Sequence, residues 1–116
     1  MARLAFAIPV TAGAVEDIRR TAAELRDDAF DEYGRSRKEV GFTSVEIWLQ
    51  ETSRGHLVVI YAEGDIERAF PRIATDSGFD EWARQKLLQW AESAEDVQRA
   101  YSYPQSEELL VWRLEN

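Results

Sequence analysis

The stretch Val45–Gly64, VEIWLQETSRGHLVVIYAEG, constrains this chain more than any other. Two runs rich in β-branched, aliphatic and aromatic residues flank a Thr52–Gly55 turn segment, the pattern of a β-hairpin joining Phe42–Glu51 to His56–Glu63. Two registers compete, because the turn can hold three or four residues. The four-residue turn puts Val45, Ile47, Leu49, Val58, Ile60 and Ala62 on one aliphatic face. The other face then collects Glu46, Trp48, Gln50, Leu57, Val59, Tyr61 and Glu63. The three-residue turn mixes the two sets. Faces with different surroundings should differ in chemistry, so the four-residue register is expected, with Glu46 opposite Tyr61.

The remaining elements arrange themselves around this hairpin. Arg3–Val10 reads as a strand with Leu4, Phe6 and Ile8 on one face and Ala5 and Ala7 on the other, ending at Pro9. From Thr11 the period changes. Val15, Ile18, Ala22, Leu25, Ala29 and Tyr33 recur at spacings of three and four, predicting one long helix to about Glu39, with Gly41 as its left-handed terminator. Asp65 caps a second helical region that buries Ile66, Ala69, Phe70 and Ile73 and is kinked or interrupted by Pro71. Ser77-Gly78-Phe79-Asp80 resembles a capping box that restarts it, and Phe79, Trp82, Ala83, Lys86, Leu87 and Trp90 follow helical spacing with only Lys86 discordant. Glu92–Ser106 has no sustained pattern beyond a helical turn at Val97–Tyr101, and Glu107–Leu114 reads as a last strand, apolar on both faces.

The resulting order, strand-helix-strand-strand-helix-strand, is that of an α+β ferredoxin-like βαββαβ plait: a four-stranded antiparallel sheet with its helices on one face, in a single domain over residues 1–116. Helices on one side leave the other sheet face uncovered although its strands are apolar on both sides, so a homodimer with facing sheets is expected. Composition narrows the chemistry. The chain has no cysteine and one histidine, which excludes disulfides, thiol catalysis and any site needing two imidazoles. No spaced acidic loop of the calcium kind is present, so neither metal nor cofactor is expected. A net charge of −8 argues against nucleic acid as a partner. No apolar run approaches a membrane span and the apolar start is short for a signal peptide, so a cytoplasmic protein without membrane contact is expected.

The βαββαβ pattern with two-sided strands resembles the dimeric α+β barrel superfamily, which includes antibiotic-biosynthesis monooxygenases. More closely, Trp48–Gln50 (WLQ), Ile60–Asp65 (IYAEGD), Glu67–Phe70 (ERAF) and S-G-F-D-x-W at Ser77–Trp82 resemble a small bacterial family of uncharacterised ferredoxin-like proteins within it. The resemblance covers most of the chain except Glu92–Ser106, and it implies a fold rather than a chemistry.

Two groups of residues are candidates for function. The first is the Glu46/Trp48/Gln50/Tyr61 row, in which Trp48 and Tyr61 supply a flat wall and Glu46 and Gln50 orient polar atoms of a ligand. Its plain alternative is an amphipathic dimer seam. The second is Tyr33, Arg37, Phe79, Asp80 and Trp82, where helix ends meet the mouth of a pocket. Here Asp80 can equally be a helix-start carboxylate, Trp82 a core residue and Arg37 a solvated helix-end cation. His56, at the hairpin end, reads as a surface residue. These features lead to a domain that binds a small, partly apolar organic molecule through Trp48, Gln50, Tyr61, Tyr33, Arg37 and Trp82. A cofactor-independent oxygenase or isomerase using Tyr61 and Glu46 is the alternative implied by the monooxygenase likeness, and a dimer without ligand is the third.

Overall fold

A computed structural model describes residues 2–102 and 106–114 of the chain. The fold is α+β. Among the described residues a three-stranded antiparallel sheet in the order β1-β3-β2 carries five α-helices. The strands are β1 (Ala2–Val10), β2 (Phe42–Thr52) and β3 (Gly55–Gly64). The helices are α1 (Val15–Asp27), α2 (Phe30–Val40), α3 (Ile66–Thr75), α4 (Phe79–Trp90) and α5 (Ala94–Ala100), with a 3₁₀ turn at Ala12–Ala14. No helix among the described residues is long and apolar enough to cross a membrane.

The hairpin takes the expected register: Glu46 pairs with Tyr61, Ile47 with Ile60 and Glu51 with His56. Pairing continues to Thr52 and Gly55, so the loop tightens to Ser53-Arg54, and the Thr52 hydroxyl closes it by donating to the Gly55 carbonyl at 2.8 Å. At its other end a bulge between Phe42 and Ser44 lets Phe42 join Val45 on the helix-covered face. β1 lies against β3, pairing Leu4 with Ala62 and Ile8 with Val58. Helices cover this face only. One half of the core packs Ile8, Val10 and Val58 against Ile18, Leu87, Trp90 and Val97, and the other packs Leu4, Phe42 and Ala62 against Val40, Ile66, Phe70 and Ile73.

Four expectations are corrected. The long helix after β1 is two helices, broken at Asp28 and Ala29, where both Asp28 and Ala29 amides reach back to the Glu24 carbonyl. Asp27 and Asp28 oppose the negative end of a helix dipole, whereas Asp31 and Glu32 suit the first turn of a new one. α2 then ends as expected on Gly41, at φ 119°. Second, α3 is not interrupted at Pro71 but runs on to Thr75, while Asp65 caps its start as expected, accepting from the Arg68 amide. Third, the capping box at Ser77 does not form: Gly78 occupies the cap position and Asp80 points elsewhere, to Arg37. Fourth, Glu107–Leu114 is not a strand of this sheet. Residues 106–114 lie exposed, tied to β1 and β3 by the Ala5 amide donating to the Ser106 hydroxyl (3.4 Å), by Arg3–Glu108 (2.8 Å) and by Arg113–Glu63 (4.0 Å). A segment apolar on both faces gains little from an edge it meets on one side, and Leu110 is 85% exposed.

Candidate functional site

A cavity of about 140 Å³ lies between the covered face of the sheet and the helices. Its floor is aliphatic, from Leu4, Val58, Ile60 and Ala62, because these alternate positions of β1 and β3 face inward. Its exposed lining residues, Ala22, Ile47 and Trp82, mark an opening where edge strand β2 runs past α1 and α4. Ile47 is 49% exposed despite facing the covered side, since among the described residues no strand pairs with the outer edge of β2.

Polar groups converge on one wall. Tyr33 and Arg37 stand one turn apart on α2 and so share a face. Phe79, Asp80 and Trp82 come from the first turn of α4, and Tyr101 follows α5. Arg37 Nη2 donates to Asp80 Oδ1 at 2.7 Å and to Ser36 Oγ at 2.8 Å, and the Arg37 and Asp80 side chains are only 12% and 8% exposed. The guanidinium carbon lies 4.6 Å from the Phe79 ring centre and 5.7 Å from that of Tyr33. The rings themselves interlock, Tyr33 edge-on to Phe79 at 5.4 Å and Phe79 tilted to Trp82 at 5.5 Å. One donor is left over: Arg37 Nε is buried and finds no acceptor among the described residues. Lys86, the discordant position of α4, also lines the cavity and is paired to Asp17 on α1 at 3.6 Å. Asp17 additionally accepts from Trp90 Nε1 at 2.7 Å, and this bond, helped by Lys86 and Arg20, holds its carboxyl below the usual range.

Burial, followed by the nearby Asp80 carboxylate, pushes the Tyr101 phenol up to about 12; burial also raises Tyr33. Tyr101 ionises near pH 10 once unfolded, so between these values the native state holds the extra proton. The corresponding stability is present below about pH 10 and is lost as pH rises through about 12, in total about 3 kcal/mol. Tyr101→Phe should therefore flatten the alkaline limb of urea-unfolding free energy against pH. Superimposable limbs for the two proteins would reject this assignment.

The two residue groups singled out in the sequence end up on opposite sides of the sheet. Tyr33, Arg37, Phe79, Asp80 and Trp82 meet at the cavity. Glu46, Trp48, Gln50 and Tyr61 instead occupy the uncovered face, with Trp48 61% exposed. There Glu46 accepts from Trp48 Nε1 at 3.1 Å, and Tyr61 donates to Glu63 rather than to Glu46. That bond raises the Tyr61 phenol above its ordinary value. His56 sits at the hairpin end, 3.6 Å from Glu51. Sequence reasoning did not select Tyr101, Lys86 or Thr21 for the cavity. Lys86 carried a signal, a cation breaking an apolar helical stripe, and Thr21 follows Ile18 on the inward side of α1. Tyr101 carried none. Among the described residues no cluster of His, Asp or Glu is arranged to hold a metal ion. Comparison of the chain with protein families, curated proteins and solved structures returned no match.

Proposed function

We propose that this protein binds a small, partly apolar organic molecule in the cavity between sheet and helices. The observation that carries the reading is the pairing of an aliphatic floor with a single polar wall built on Arg37, Asp80, Tyr33 and Tyr101. Binding sites for small molecules combine these elements: apolar walls for affinity and few, fixed polar groups for orientation. The rigidity of the wall supports it further, since the buried ion pair and the three interlocked rings fix the rotamers in advance. Ring-sized fragments screened by ligand-observed NMR should yield binders, and Ala83→Trp, which fills space at the cavity lining, should abolish their signals. Failure of every fragment to bind, or binding unchanged in the filled variant, would sink the reading. A catalytic role for Tyr61 and Glu46 draws less support: a phenol with a raised pKa is a poor base near neutrality, and both residues face away from the cavity.

The uncovered sheet face supports a second part of the proposal, a homodimer of the dimeric α+β barrel kind. Trp48, Val59, Leu57 and Ala7 share that face, and the exposed Leu109–Trp112 run lies between Glu108, paired with Arg3 of β1, and Arg113, near Glu63 of β3. Facing sheets in two copies would cover both, and would give Glu107–Leu114 the second apolar surface it needs to become the fourth strand of a ferredoxin-like plait. Sedimentation at micromolar concentration should give a dimer, and Trp48→Glu a monomer that keeps its helical circular dichroism. A wild-type monomer under those conditions would exclude the arrangement.

A further inference from the structure

We infer that the cavity takes the hydrocarbon end of an amphipathic molecule, a group of about one aromatic ring, and leaves any charged group of that molecule in water at the opening between β2, α1 and α4. The inference rests on the ligand-binding reading above and adds which end of the ligand enters.

Size follows from volume. The cavity is about 140 Å³, comparable to an engineered apolar cavity of about 150 Å³ that takes benzene. One ring or a short branched alkyl group fills it, so the rest of any larger molecule projects from the opening. The residues that mark the opening, Ala22, Ile47 and Trp82, give it an apolar rim.

Polarity follows from what the walls present. Leu4, Val58, Ile60 and Ala62 form a floor without a polar side-chain atom. The buried ion pair on the wall is turned in on itself: Arg37 donates to Asp80 at 2.7 Å and to Ser36 at 2.8 Å. Its guanidinium carbon lies 4.6, 5.7 and 5.8 Å from the ring centres of Phe79, Tyr33 and Phe42. With Arg37 Nε buried among these rings, what the wall offers a ligand is ring surface, suited to packing against another ring or an alkyl group.

Charge follows from pairing. The other cation lining the cavity, Lys86, stands one turn from Trp82 on α4 and pairs with Asp17 on α1 at 3.6 Å. Both lining cations thus have their carboxylates already. Tyr33 and Tyr101 are held as neutral phenols by their burial. A carboxylate or ammonium drawn inside would give up its water for a site where each charge has a partner, and the desolvation cost would stand unopposed. At the opening the same group keeps its water. An arginine on a cavity wall ordinarily suggests an anionic ligand; here it is sealed behind rings.

The test compares three probes on the full chain at neutral pH, each titrated by NMR: toluene, its near-isostere benzoate, and 4-phenylbutyrate, whose methylene chain carries the carboxylate away from the ring. Toluene is expected to bind about tenfold or more tighter than benzoate. 4-Phenylbutyrate should recover to within about threefold of toluene, because its ring enters while its charge stays outside. Shifts of the Val58, Ile60 and Ala62 methyl resonances locate each bound probe at the cavity floor without a variant that must fold. Benzoate binding as tightly as toluene shows that charge enters and overturns the inference. 4-Phenylbutyrate binding as weakly as benzoate overturns it as well, since the opening then gives the carboxylate no way to remain in water. Either result leaves the cavity a ligand site, whereas no binding of any probe rejects the inference together with the reading beneath it.

Discussion

Asp80→Ala lowers the free energy of unfolding by about 3–5 kcal/mol. The physical reason is asymmetry. Removing the carboxylate leaves the Arg37 guanidinium, 12% exposed, facing rings and aliphatic groups with no counter-charge. The full desolvation penalty of the cation then stands against folding. Asp80→Asn keeps an acceptor and loses the charge, so its cost should be smaller, about 1.5–3 kcal/mol. Removing both partners in Arg37→Met/Asp80→Leu should return most of the stability, because a buried pair replaced by apolar residues of similar volume is often neutral. Urea unfolding of the four proteins measures all three differences. A cost below about 1 kcal/mol for Asp80→Ala would mean that water reaches the pair, and the burial on which the site depends would be wrong.

Gly64→Ala is expected to cost about 3 kcal/mol or more, through the backbone alone. Gly64 has φ 147°, and a Cβ there would lie 2.4 Å from the Gly41 carbonyl oxygen and 2.8 Å from Phe42 Cα. Both neighbours are main chain, so no rotamer change relieves the clash. The contact sits where the end of β3, the start of β2 and the end of α2 converge, and the Asp65 amide donates to the Gly41 carbonyl at 2.9 Å at the same point. Any shift that accommodates a methyl group therefore disturbs three elements together. Gly13→Ala is the control: nothing lies within 4 Å of its Cβ position, and the change should be neutral or raise stability by about 0.5 kcal/mol. Equal melting temperatures for the Gly64 and Gly13 variants would refute the close approach.

Local patterns carried the hairpin register, the Gly41 terminator and the buried face of α3. In each of these the informative residues are neighbours in sequence: Val45 with Ile47 and Leu49, or Ile66 with Ala69, Phe70 and Ile73. What escaped is settled by distant partners. The stripe from Val15 to Tyr33 fits one helix as well as two, although Asp27, Asp28, Asp31 and Glu32 locally favour the break, and α2 packs against β2 once it is made. Asp80 is an ordinary helix-start carboxylate until Arg37, 43 positions earlier, draws it into an ion pair. Tyr33, Arg37, Phe79, Asp80 and Trp82 could be grouped because each lies near a helix end, yet the sequence did not reveal that the sheet separates them from Trp48, Gln50 and Tyr61. Glu107–Leu114 has the composition of a strand, but composition does not state whether its second face is covered.

The strand order also dictates how the chain can assemble. β2 and β3 meet across a loop of two residues, Ser53-Arg54, whereas β1 must find β3 with about 45 residues intervening even at their nearest pair, Val10 and His56. The difference in loop-closure entropy is about 3 kcal/mol, favouring a hairpin that forms early and a β1 that docks late. Of the three strands, the one that leaves the ribosome first is thus the last to be seated. Until α1, α2 and the hairpin have followed it, its alternating Leu4, Phe6 and Ile8 have no sheet to join.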